Sequence, residues 1–376
     1  MNLRRTRAVA RKELMHIVRD ARSLLMALVL PLLMLLLFGY AVNLDVDRVP
    51  TYVLDADQTS ESRELVERLR GSRYFHVLGL VREYHTIERA IDRDDALMAV
   101  AIPRGFGRRL LAGETADVQV IVDGSDSNTA AIALGYAEGL LQGYALELRA
   151  RAADRRGVEL RPPLELRVRV WYNSDMKSKN YIVPGLISVI LMIISAMLTS
   201  LTIAREWEMG TMEQLLSTPL RPAELMLGKL AAFFCVGLLD MVITVAAGTY
   251  VFDVPLRGSR LLLFLTGCIF MFGSLSWGIF ISAATRSQVK AYQMGMLTSF
   301  LPAFMLSGFV YSIENMPAVI RLVTYLVSAR YFVTILKGIY LKGIGLGVLW
   351  VEVLWLVAYS AVVFWLATRK LNQKLA

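Results

Sequence analysis

Between Tyr181 and Ala204 the chain runs for 24 residues without a charged side chain. A helix rising ~1.5 Å per residue needs about 20 residues to cross the ~30 Å hydrocarbon core of a bilayer. This stretch therefore reads as a membrane span, and five others resemble it. Leu24–Val42, Leu261–Thr285 and Ala291–Ile313 carry no charge, Leu230–Phe252 has only Asp240, and Gly343–Thr368 has only Glu352. Hydrophobic residues make up 56% of the 376, and here they are bunched rather than spread by amphipathic periodicity. The reading is an α-helical integral membrane protein with six transmembrane helices, at 24–42, 181–204, 229–252, 261–285, 291–312 and 343–368. Leu24–Val42 is longer than the apolar core of a signal peptide and no small-x-small site clearly follows it, so it reads as an uncleaved first span.

The formal net charge of +9 does not point to nucleic acid, because its distribution is wrong. Residues 45–180 hold 20 Lys/Arg against 22 Asp/Glu, whereas the remainder holds 21 against 10, mostly beside the spans. Arg4, Arg5, Arg7, Arg11, Lys12, Arg19 and Arg22 precede the first span, and Arg369, Lys370 and Lys374 follow the last. The positive-inside rule then puts both termini in the cytoplasm and residues 43–180 outside, which in an inner membrane means the periplasm. The tail is 369–376.

Residues 43–180 alternate between strand-like and helix-like runs. Thr51–Asp55, Phe75–Val81, Leu97–Ile102 and Val118–Asp123 read as strands, with helices at Ser62–Leu69, Thr86–Asp92 and Gly105–Leu111 between them. A longer helix near Thr129–Arg155 precedes a last strand at Leu164–Trp171. The expectation is an extracytoplasmic α/β domain inserted between the first two spans.

Residues 1–23 place Leu14, Ile17, Val18, Ala21 and Leu24 at helical spacing among arginines. That suits an amphipathic helix in the inner interface, although a plain basic flank would look similar. Near the outer face, 313–342 combines a Gly/Pro-broken start with Arg321, Arg330, Lys337 and Lys342. It is too charged for a clean span and reads as re-entrant half-helices packed on protein or lining a cavity.

Catalytic motifs are missing. Gly228-Lys229 is followed by Leu230, and Ala223 stands where a phosphate-binding loop needs glycine. There is no G-x-S-x-G, H-E-x-x-H or C-x-x-C; His16, His76 and His85 are scattered, and Cys235 and Cys268 fall inside spans. No catalytic, metal or cofactor site is expected.

The charged interruption after the second span reads Arg205-Glu-Trp-Glu-Met-Gly-Thr-Met-Glu-Gln-Leu-Leu216, then Ser-Thr-Pro219. Its spacing predicts one helix over Arg205–Leu216, with Met209, Met212 and Leu216 on one side and Glu206, Gly210 and Glu213 on another. Pro219 ends it, and Pro222 opens the next helix. Such an element docks a partner or merely links two spans; spacing alone leaves both open.

Several motifs together narrow the choice. They are Arg11-Lys12-Glu13-Leu14 with Arg19-Asp20, Tyr172-Asn173 and Val183-Pro184-Gly185 at the entry to the second span, and Ser307-Gly308 with Met316-Pro317 before the last. The most specific is R-E-x-E-x-G-T-x-E-x-L-x-x-T-P, met by Arg205, Glu206, Glu208, Gly210, Thr211, Glu213, Leu215, Thr218 and Pro219. Over nearly its whole length the sequence resembles the permease subunits of type-2 ATP-binding-cassette exporters, in the branch with a large external domain after the first span. It departs from their pattern at Ser174 and at Ala329-Arg330, where proline is common.

The resemblance implies that residues 1–23 are an elbow helix, marked by Lys12, Glu13, Arg19 and Asp20. It implies that 205–228 holds a coupling helix and loop that contacts a separate ATPase subunit through the motif residues. ATP and Mg would sit on that partner and none on this chain. A second permease copy or paralogue, a periplasmic membrane-fusion protein and the bilayer complete the expected partners, without nucleic acid. The implied activity is export of a hydrophobic or amphiphilic, drug-like or lipid-like compound. Asp240, lone in the third span, with Phe300 and Phe304 marks a candidate transport path, since intramembrane charges are costly. Rival readings are a mechanotransmission subunit that moves the external domain without transport, an ion-coupled secondary transporter using Asp240, and a membrane receptor.

Overall fold

The computed structural model describes residues 2–41, 48–155, 171–173 and 177–375. It divides the chain into two compact units, one of Met1–Asn43 with Arg169–Ala376 and one of Leu44–Val168.

In the first unit, α1 (Leu3–Arg19) ends at Asp20, whose backbone leaves the helical region, and α2 (Ala21–Ala41) starts anew. Val9 and Glu13 are the buried residues of α1, while Leu14 and Val18 of the expected apolar stripe are exposed.

The Leu44–Val168 unit is α/β. Its elements are β1 (Val49–Asp55), α3 (Ser60–Gly71), β2 (Phe75–Val81), α4 (Tyr84–Asp92), β3 (Met98–Ile102), α5 (Phe106–Ala112), β4 (Gln119–Val122) and α6 (Ser127–Arg155). The sheet order is β2-β1-β3-β4; β1 pairs in parallel with β2 and β3, and β4 lies antiparallel at the edge. All five residues of β3 are buried, as suits a continuous apolar run in the middle of a covered sheet. Leu65 and Leu69 of α3 meet Val53 and Val100 in the core. The Asp57 carboxylate ties two loops together, accepting from the Gly105 and Gly107 amides at 2.6 and 2.8 Å and from the Thr59 hydroxyl at 2.7 Å. The strand expected at Leu164–Trp171 lies, up to residue 170, outside the described residues.

The rest of the first unit is helical: α7 (Ser178–Glu208), α8 (Thr211–Leu216), α9 (Pro222–Ala246, extended by a π-helical turn to Val251), α10 (Arg260–Ala284), α11 (Gln288–Leu306), α12 (Ala318–Thr324), α13 (Ser328–Lys337, extended likewise to Lys342) and α14 (Leu346–Leu375). Among the described residues α7, α9 with its extension, α10 and residues Leu346–Asn372 of α14 are long and apolar enough to cross a membrane. α12 and α13 pass that test only as a pair, bent by 82° at their break, as in a broken span or re-entrant loop. The count is four, or five with the bent pair, against six read from the sequence. The other two expected spans are helical but weaker. Ala27–Ala41 in α2 is a shorter apolar helix, and the run of α11 is diluted by Gln288, Lys290, Gln293, Thr298 and Ser299.

α7 is the spine of this unit, with 83% of its apolar window buried. A Cβ on Gly278 of α10 would lie 2.6 Å from the Ala196 carbonyl of α7, so glycine is what allows the two backbones to approach. Thr199 uses that proximity, donating to the Leu275 carbonyl at 2.9 Å. Pro184 sits inside α7 and not in its first turn, because the helix begins earlier, at Ser178.

Candidate functional site

The motif residues around 205–219 are divided between the end of the long helix α7 and the short helix α8, instead of forming the single helix expected over Arg205–Leu216. α7 runs on without a break to Glu208, and Gly210 then takes a left-handed φ of +71°, which a helix interior cannot accommodate. α8 restarts at Thr211 and is capped at Ser217, ahead of Pro219. The break splits the expected oily side, leaving Met212 buried and Met209 67% exposed.

The carboxylates separate into distinct roles. Glu206 is buried in the last turn of α7, where its Oε1 accepts from Lys12 Nζ at 2.8 Å and from Lys229 Nζ at 3.3 Å. Its other oxygen accepts from the Thr211 hydroxyl, which joins α8 to α7 across the Gly210 turn. Lys229 of α9 is 1% exposed and donates to Glu13 Oε1 at 2.7 Å. Three helices, α1, α7 and α9, thus meet at two acids and two lysines. A buried ion needs such a partner, because desolvating an unpaired one is prohibitive. Burial works against the charge of Lys12, but Glu206 and Glu13 outweigh it and raise its pKa above the ordinary lysine range.

A second clamp holds the start of α1. Buried Glu224 accepts from the Asn2 amide at 2.6 Å and from the Arg221 amide at 3.2 Å, and Arg5 donates to the Pro219 carbonyl. Between the clamps, a Cβ on Gly228 would lie 2.6 Å from Val9 Cβ, so this glycine lets α1 seat against α9.

Glu208 is exposed but engaged, accepting from the Gln288 amide at the start of α11 at 2.9 Å. Arg205 is half-buried and reaches Gln288 Oε1 from Nε at 3.4 Å. Glu213 is exposed and, among the described residues, makes no ion pair. Gly210, Thr218 and Pro219 are exposed beside it, and Leu215 is half-buried. Of the four α1 residues singled out, Lys12 and Glu13 join the network; Arg19 is exposed at the last turn, and Asp20 caps the helix.

Lys229 and Glu224 escaped the sequence reading. Gly228-Lys229 attracts notice only as a failed phosphate loop, yet a lone lysine at the mouth of an apolar helix signals a buried counter-ion.

The candidate transport residues lie elsewhere. Asp240 of α9 is 1% exposed, and neither carboxylate oxygen has a hydrogen-bond partner among the described residues. Phe300 and Phe304 stack along α11, ring centroids 5.6 Å apart, and Phe304 meets Phe309 at 5.9 Å. Phe309 in turn covers Gly185 of α7. These aromatics form one packed row. The described residues do not include three or more His, Cys, Asp or Glu grouped to hold a metal ion.

An unbroken α7 emerges into a charged corner strapped by α1. The family comparison decides the matter: the model of the ABC-2 family transporter proteins matches residues 22–369. The chain belongs to the ABC-2 transporter family. "Probable multidrug ABC transporter permease YbhS" of Escherichia coli K12 is 40% identical over 375 residues, spanning 98% of both chains. "Probable multidrug ABC transporter permease YbhR" of the same strain is 34% identical over 90% of each chain. "Inner membrane transport permease YhhJ" is 27% identical over 93% of this chain and 94% of its own. As an ABC-2 transporter, the chain uses its long apolar helices to cross a membrane.

Proposed function

We propose that the chain is the permease subunit of an ABC exporter, moving a hydrophobic or amphiphilic compound out of the cytoplasm or the inner membrane. ATP is hydrolysed on a separate ATPase subunit, which supplies the nucleotide and Mg that this sequence has no motif to hold. The arrangement uses six spans, with α2 and α11 as the first and fifth, and two permease copies serving two ATPase sites. Both termini and α8 lie in the cytoplasm by the positive-inside rule, and the α/β unit is periplasmic, where a membrane-fusion protein is its natural partner.

The single observation that carries this reading is the bracing of α8. The Glu206–Thr211 contact fixes it to the end of α7, and the Lys12–Glu206 and Lys229–Glu206 pairs fix that end to α1 and α9. A push on exposed Glu213 and its neighbours would therefore move the spans α7 and α9 together with the interfacial helix α1 instead of bending one loop. Two of these relatives are named as probable multidrug permeases, which supports the substrate class.

Reconstituted vesicles test this. Efflux of an amphiphilic dye should require both the ATPase and ATP; equal efflux without ATP would reject the mechanism. Asp240 favours one second reading, an ion-coupled transporter in which this unpartnered carboxylate carries the proton. That reading requires transport without any ATPase and its loss in Asp240→Asn.

A further inference from the structure

Beside the ion network an open cavity of about 650 Å³ follows one face of α7. Its lining runs from Ile194 to Met209, about 22 Å of helix at ~1.5 Å per residue. That length matches one leaflet, since half of a ~40–45 Å bilayer is about 20–22 Å. The lining also changes character along the way. From Ile194 to Leu201 it is apolar and is completed by Leu30 of α2 and Phe233 of α9. From Arg205 onward it is charged, with α1 contributing Lys12 and His16.

At the polar end one cation is without an ion pair among the described residues. Lys12 and Lys229 are taken by Glu13 and Glu206, and Asp20, the remaining acid, has a partner of its own. Arg205 is left with one long hydrogen bond to neutral Gln288, and among the described residues no carboxylate lies within ion-pair distance of it. A guanidinium at the mouth of an oily slot selects a planar or tetrahedral anion with an apolar tail.

We propose that this groove seats one anionic amphiphile, its tail along Ile194–Leu201 and its phosphate or carboxylate head on Arg205. Because the occupant enters from the leaflet on the α8 side, the groove is a loading site for an exported amphiphile. That last step rests on the exporter reading; the binding itself does not.

The test uses the full chain in phosphatidylcholine nanodiscs, without ATP or any ATPase, and maps photo-crosslinks by peptide. One arm carries photoactivatable phosphatidylglycerol in the disc, a second the matching phosphatidylcholine, and a third a photoactivatable fatty acid added from water. The anionic probes should label peptides holding Leu30 and Leu198 above the other helices, and the lipid and fatty-acid arms show which source loads the site. Arg205→Gln should lower that labelling about tenfold, as expected for one charge-assisted hydrogen bond. Leu198→Trp should fill the slot and abolish it, while Leu354→Trp on exposed α14 should leave it unchanged. Uniform labelling of all helices, or labelling insensitive to Leu198→Trp, would overturn the proposal. So would crosslinks from the groove to a second copy of the chain. Loss of ATP-dependent transport with labelling intact would fault the exporter reading alone.

Discussion

Lys229 donates to Glu13 across 2.7 Å, although 216 positions of sequence separate them. This contact fastens the first helix of the chain to the helix that follows the 205–219 motif. Removing one partner of a buried pair typically costs about 3–5 kcal/mol, and here it leaves Glu13 only the longer 3.5 Å contact with Lys12. Lys229→Met should therefore lower the thermal midpoint of the purified protein sharply. The double variant Lys229→Met/Glu13→Leu should recover most of the loss, because Glu206 keeps Lys12. A double variant no better than the single would show that the lysine does something other than balance Glu13.

Glu206 and Glu213 share a motif but should separate by experiment. Glu206→Ala removes an acceptor shared by two lysines and a threonine, so both stability and coupling should fall. Glu213→Arg changes an exposed charge and should change stability by no more than about 0.5 kcal/mol, as is usual for surface substitutions. Its effect should appear only in ATP-driven transport. The paired measurement is a melting curve and a transport rate for each variant.

The α7–α10 contact leaves no room for a side chain at residue 278. Gly278→Val should destabilise by about 1–3 kcal/mol through overpacking, and Gly278→Ala by less. Detergent-resistance melting curves check the order; equal midpoints for all three proteins would refute close packing there.

In the α/β unit, the Gly107 amide, then the Thr59 hydroxyl and the Gly105 amide, hold Asp57 below the ordinary carboxylate range. Its folded pKa lies under its unfolded value, so its contribution is present at neutral pH. That contribution is lost as pH falls below about 4 and through the lowered pKa. Hydrogen exchange in peptides covering 55–59 and 105–107 should rise on acidification over that range. Asp57→Asn should exchange faster already at neutral pH and lose the acid-induced step.

Much of this was legible in the sequence, for reasons that also mark its limits. Phe75–Val81 forms a strand with the expected bounds, and β1, β3 and β4 differ by a residue or two, because short apolar runs between turn residues leave little choice. Pro222 opens α9 as its fixed φ requires. What failed depended on backbone conformation or distant partners. Gly210 could have continued a helix by composition, and only its left-handed φ reveals the break. The resemblance implies a docking role for Glu206, yet its partners, Lys12 and Lys229, come from either side of the 205–219 motif and well away from it in sequence. No periodicity links three such segments, so Lys229 could not be assigned before they were brought together.

On the proposed function, the α8 corner is where another protein's ATP hydrolysis reaches this one. A photo-crosslinking amino acid at position 213, in the full chain in native membranes, tests it most directly. Irradiation should capture a P-loop ATPase subunit from position 213, and the same substitution at Leu354 should capture none. If position 213 yields no ATPase, or yields it no better than position 354, the account is wrong.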